Sequence, residues 1–296
     1  MSHRIRALLV AAAISLVVVP AAHAAAKPRK QFYLSLGDSY AVGYQGDVKK
    51  TTHNGFADQL VPLARKKGYA FTLVNQGCGG ATTTSMLQQK GCAALALAPG
   101  AANYPNQTQV QAAVAFVKKH RARMGLVTIS IGGNDVDTCI PQADPLPCVA
   151  NNMKGAVKNL ESIVRQLRRA GGPGMRIVGT TYPDVVLGAW VRQDVFGANA
   201  FNLATTSLTA FDKYINPGLR KAYKSGNAKF VDVTTATGAF GPFDTSTLAP
   251  YGTVPTPVAK ACRLTFFCQF LDIHMRTPGY GIIAKLIAGT LPRARP

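Results

Sequence analysis

The sequence predicts an α/β fold, three layers deep, with a five-stranded parallel sheet between two layers of helices. Two observations predict it. Short apolar, β-branched runs alternate along the chain with longer amphipathic stretches, the pattern of strands joined by crossover helices. The short runs are mostly apolar throughout rather than alternating, as strands buried on both faces require.

The elements follow in order. Residues 1–24 read as a signal peptide. Arg4 and Arg6 precede the apolar run ALLVAAAISLVVV, and Ala22-His23-Ala24 forms a small-x-small cleavage pattern. That run is shorter than the ~20 residues a bilayer span needs. Residues 25–30, AAKPRK, read as a flexible basic lead-in. Residues 31–296 then read as one domain, a length able to bury a substantial core. Candidate strands are Phe32–Leu36, Phe71–Asn75, Leu126–Ile131, Arg176–Thr181 and Lys229–Val233. Candidate helices are Gly55–Lys67, Gln107–His120, Val149–Ala170, Ala198–Lys224 and Pro278–Ala288. The Pro- and Gly-rich stretch Gly238–Thr265 reads as an excursion within the domain, because Cys262 and the last helix lie beyond it. No internal repeat is evident.

Six cysteines all follow the signal region. An even count in an exported chain reads as disulfides. They fall into three separate local pairs: Cys78 with Cys92, Cys139 with Cys148, and Cys262 with Cys268. A zinc site is disfavoured by the absence of CxxC and the scarcity of histidine. The formal charge is +20, or +18 without Arg4 and Arg6. The basic residues are spread along the chain, with small clusters at Arg65-Lys66-Lys67 and in KKHRAR (118–123). A solvated basic surface explains them, and the same charge suits an anionic membrane or cell-envelope surface. No nucleic-acid recognition motif accompanies the charge.

The chemistry concentrates at strand ends. The first strand runs into Gly37-Asp38-Ser39, the second into Asn75-Gln76-Gly77-Cys78-Gly79-Gly80, the third into Gly132-Gly133-Asn134-Asp135. In a parallel sheet these three ends share one rim, where ligands bind. Glycines allow close backbone approach, and Asn134 brings NH₂ donors, the raw material of an oxyanion hole. Ser39 is a nucleophile only if a base accompanies it. Beyond the signal three histidines remain. His53 sits in a polar loop and His120 among cations, which leaves His274, in Phe270-Leu271-Asp272-Ile273-His274, as the base. Asp38 reads as a turn cap and Asp135 as support for the Asn134 loop.

The four blocks, GDS, the glycine-rich second block, GGND and the Asp/His pair before a C-terminal helix, resemble the SGNH (GDSL-like) hydrolase family over nearly the whole chain after the signal. The cysteine pairs resemble those of its secreted bacterial esterases and lipases. The resemblance implies a flavodoxin-like α/β/α fold. It implies Ser39 as nucleophile, His274 as base, and Ser39 N–H, Gly80 N–H and Asn134 as oxyanion donors. One departure stands out. The family's usual acid position, three residues before the histidine, holds Leu271. Asp272, two before, takes the role of acid in this reading; a backbone carbonyl is the alternative that leaves a dyad.

The resulting expectation is a secreted, extracellular, monomeric serine esterase or lipase acting on ester or lipid substrates, without metal or cofactor. Carbohydrate O-acetyl esters are the alternative substrate. A non-catalytic protein binding the cell envelope through its charge is the alternative of another class.

Overall fold

A computed structural model describes residues 30–142 and 144–294. The signal reading of residues 1–24 and most of the 25–30 lead-in lie outside these. Lys30 does not belong to a lead-in: it opens the first strand.

Five parallel strands form the central sheet: β1 Lys30–Gly37, β2 Ala70–Asn75, β3 Met124–Ser130, β4 Ile177–Thr180 and β5 Lys229–Val231. Their order is β2-β1-β3-β4-β5. Leu34 pairs with Val74 on one side and Val127 on the other. Residues 33–37 of β1 and all of β3 beyond Met124 are buried, as their nearly continuous apolar sequence demands. Chain order reverses between β1 and β3. Beyond the carboxyl ends of those two strands lies the crevice where open α/β sheets hold ligands.

Helices cover both faces. α1 (Phe56–Arg65) packs against the last helix on one side. The other side carries α3 (Gln109–Lys119), α4 (Pro145–Gly171) and α6 (Asn216–Ser225). The remaining labelled helices are α2 (Thr83–Gln88), α5 (Ala200–Ala210), α7 (Thr256–Leu264) and the last, α8 (Thr277–Thr290). Two short hairpins, Tyr44–Gln45 with Lys50–Thr51 and Thr245–Leu248 with Gly252–Pro255, stand outside the sheet.

Three local expectations change. The stretch read as one helix over Ala198–Lys224 is α5 and α6 joined through a π turn at Phe211–Ile215. Pro217 lies at the start of α6 and has no N–H for the carbonyl one turn back, so the chain widens there. β5 stops at Val231 because Asp232 caps the helical turn Val233–Ala236, its side chain accepting from Thr235 N–H at 3.0 Å. The excursion read in Gly238–Thr265 contains the second hairpin and α7. All three disulfides join the expected partners: Cys78–Cys92, Cys139–Cys148 and Cys262–Cys268, with Cα separations of 5.8, 5.6 and 5.2 Å.

Candidate active site

Gly37 ends β1 at φ +130°, and a Cβ there would fall 1.9 Å from the Ser130 carbonyl oxygen. Only glycine lets the end of β1 press this closely on the end of β3. The turn that follows carries Asp38 and Ser39. Asp38 Oδ1 accepts the Tyr40 N–H at 2.9 Å, which closes the turn, and Oδ2 accepts the Tyr182 hydroxyl. Asp38 is buried, and burial pushes its carboxyl up to about 7 against the opposing pull of those two hydrogen bonds.

Ser39, Gly80, Asn134 and His274 line one open cleft of about 350 Å³. Gly80 holds φ +79° with empty space where a Cβ would stand, so backbone conformation rather than room selects glycine. Among the described residues, Ser39 N–H and Gly80 N–H have no hydrogen-bond partner. The Asn134 amide donates one proton to the Ala81 carbonyl at 2.8 Å, which fixes its orientation and leaves a second N–H. Asp135 accepts from Thr83 N–H and Oγ1 at 2.9 and 2.6 Å, tying the Asn134 loop to the start of α2.

His274 is held from several sides. Its Nδ1 meets Asp272 Oδ1 at 2.8 Å, and the same oxygen accepts its backbone N–H at 2.9 Å. The Tyr40 hydroxyl donates to the Ile273 carbonyl at 2.6 Å, and the Tyr44 ring lies 4.3 Å from the imidazole, centre to centre. Burial raises the Asp272 pKa, but the hydrogen bonds and charge of His274 outweigh it, and the carboxyl ends below its ordinary value. The spacing of two therefore brings the pair together despite its departure from the usual three. Leu271 adopts φ +57° where it caps the helical turn Phe267–Phe270, and Asp272 follows directly. No hydrogen bond joins Ser39 Oγ to His274 among the described residues; such contacts commonly tighten only around substrate.

A model of the GDSL-like lipase/acylhydrolase family matches residues 35–282, from the strand before Ser39 to beyond His274. The chain belongs to this family. Among solved structures, it is similar to the lipase Lip_vut3 from a goat rumen metagenome, at TM-score 0.54 and 13% identity, covering 89% of this chain and 99% of that one. It is also similar to an acetylxylan esterase from Geobacillus stearothermophilus, at TM-score 0.46 and 15% identity, covering 90% and 97%. No curated protein matches.

The site of this GDSL-like chain includes residues that sequence reasoning did not single out. Gln109 accepts from Gly37 N–H at 2.8 Å and donates to the Gly37 carbonyl at 3.0 Å, clamping the peptide before Asp38-Ser39. The sequence does carry a signal for it: Gln109 shares the buried face of its helix with Ala112, Ala113 and Val117. Asp137, three residues past Asn134, is pushed up to about 6 by burial, with His274 opposing and Asp135 reinforcing the rise. Gly46 lies against the Asp272 carboxylate, a contact between chain segments over 200 residues apart that no local pattern announces.

Proposed function

We propose that this protein is an exported serine esterase that hydrolyses carboxylic esters through an acyl-enzyme on Ser39. The observation that carries the reading is convergence. One cleft at the sheet's switch point holds a serine, two unpartnered backbone N–H groups, an oriented asparagine amide and a histidine bonded to a carboxylate. In this reading His274 takes the Ser39 proton as Oγ attacks the ester carbonyl. Ser39 N–H, Gly80 N–H and the free Asn134 N–H receive the oxyanion. His274 gives its proton to the leaving alcohol. Water then attacks the acyl-enzyme, again deprotonated by His274, and the acid departs as Ser39 recovers its proton. Asp272 holds the imidazole tautomer with Nδ1–H facing the carboxylate.

Export rests on the pattern of residues 1–24 and on three disulfides, bonds that persist in oxidising compartments. The charge of +18 beyond the signal suits an anionic envelope surface near which the substrate lies. One chain supplies every group of the site, so a monomer suffices. Ser39→Ala tests the reading: hydrolysis of p-nitrophenyl butyrate is expected to fall by several orders of magnitude, with circular dichroism unchanged. Retention of more than about a tenth of the activity refutes Ser39 as nucleophile.

A further inference from the structure

A second pocket meets the cleft at Ser39, Asn134 and Ile273. It is narrow, about 90 Å³, and runs away from the cleft among Val149, Val185, Leu203, Ala210, Phe211 and Ile215. We infer that this pocket holds the acyl chain of the substrate, and that it selects unbranched apolar chains of about four to six carbons. The inference rests on the esterase reading and adds to it which side of Ser39 each half of the ester occupies.

The direction follows from His274. A base that returns its proton to the leaving alcohol must face that alcohol. His274 lines the open cleft and not the narrow pocket. The alcohol therefore leaves through the cleft. The acyl chain, on the other side of the carbonyl, points into the apolar pocket.

The polar residues along the pocket do not contradict an apolar occupant, because most of them spend their hydrogen bonds elsewhere. Asp38 and Tyr182 bond to each other. Ser207 lies 2.8 Å from both Asp184 Oδ2 and the Ala204 carbonyl. Its hydroxyl has one proton, so both contacts are satisfied when a protonated Asp184 donates to Ser207 and Ser207 donates to Ala204. Ser39 and Asn134 stand where the pocket joins the cleft. Asp137 is the remaining carboxyl on the lining.

Size sets the chain length. An apolar cavity of about 150 Å³ takes a benzene ring, six carbons. By proportion, about 90 Å³ takes about four, and the carbonyl carbon and its neighbour at the mouth extend the total toward six. The π turn contributes to this wall: Phe211 and Ile215, its first and last residues, both line the pocket. An inserted turn of this kind is costly to maintain and recurs at functional sites.

The test is the chain-length profile of kcat/KM on p-nitrophenyl esters from acetate to laurate. The unaltered protein is expected to peak between butyrate and hexanoate. Two buried methylenes favour butyrate over acetate by about tenfold. Ala210→Phe fills the pocket and is expected to lower the butyrate-to-acetate ratio at least tenfold. Phe211→Ala lengthens the pocket and is expected to move the peak to octanoate or beyond. A peak at acetate or at laurate in the unaltered protein overturns the inference, and that measurement decides even where a variant fails to fold. Unchanged profiles in both folded variants also overturn it while leaving the esterase reading intact. Absence of hydrolysis on every ester overturns both.

Discussion

Gly46→Ala is expected to damage catalysis without touching any group that meets substrate. A Cβ at position 46 falls 2.4 Å from Asp272 Cγ and 2.6 and 2.7 Å from its two oxygens, where ordinary contact begins near 3.4 Å. The carboxylate must retreat by about 1 Å. It is the end of a side chain, so it moves at small cost to the fold, and Gly46 has no left-handed φ to complicate the substitution. Activity does not escape so easily. Asp272 Oδ1 holds both the ring and the backbone N–H of His274. A displacement of about 1 Å at such a positioning group costs about 10²-fold. The expected result is a fall of that size in kcat on p-nitrophenyl butyrate, with KM within about twofold and the melting temperature within a few degrees. In an Asp272→Asn background the same change should cost less than about threefold, because coupled residues are not additive. An unchanged kcat in a folded Gly46→Ala protein refutes the reasoning. So does an equal loss in both backgrounds, which places the effect somewhere other than Asp272.

Asp272→Asn itself is expected to lower kcat by about 10³–10⁴-fold, the size of a tautomer error in serine-histidine-aspartate sites; a loss under about tenfold, with His274→Ala still inactive, establishes a dyad instead. Asn134→Ala should lower kcat by about 10²–10³-fold with little change in KM, as removal of one oxyanion donor does, and an effect confined to KM makes it a substrate-positioning residue. Asp184 is buried and its carboxyl is pushed up to about 7 by that burial, above the ordinary 3.8. The folded protein therefore holds a proton that the unfolded chain has released, its contribution to stability is complete below pH 4, and it is lost as pH rises toward 7. Asp184→Asn should flatten this loss: melting temperatures from pH 4 to 8 should show the variant gaining on the unaltered protein, and parallel curves count against a buried neutral Asp184.

The sheet was legible because both faces of its strands are buried. Tyr33, Leu34 and Leu36 on β1, and Leu126, Val127 and Ile129 on β3, are fully buried, so their apolar runs carried the signal without alternation. The disulfides were legible because each closes a short local loop. That Ser39, Gly80, Asn134 and His274 would meet in one cleft was legible because each sits in a short block with its own turn chemistry. What escaped notice depends on distant packing. The Asp272 spacing works through a local turn in which Oδ1 accepts the His274 backbone N–H as well as facing its ring, and the spacing alone does not announce that turn. The π turn follows from Pro217, visible in the sequence, but its place in the pocket wall depends on how α5 packs against Val185–Val191 and α4. Gly46 looks like any hairpin glycine until the C-terminal segment is laid across it.

The blocks of the site lie more than 200 residues apart at the extremes, and what holds them is a set of side chains that each tie a block to another block or to a neighbouring element of the fold. Gln109 binds both backbone groups of Gly37, fixing the turn of Ser39 to α3. The Tyr40 hydroxyl reaches the Ile273 carbonyl and so connects the serine turn to the histidine segment. Asp135 ties the asparagine loop to the helix that follows Gly80. Tyr182, beyond β4, closes on Asp38. Each tie uses a buried or half-buried polar group whose own satisfaction depends on the partner block being in place. Misplacing one block therefore leaves a buried donor or acceptor unpaired in another, at about 1–3 kcal/mol each. The same bonds that satisfy the interior thus hold the cleft in register, so that under the esterase proposal Ser39 N–H, Gly80 N–H and Asn134 need no reorganisation when charge develops on a carbonyl between them.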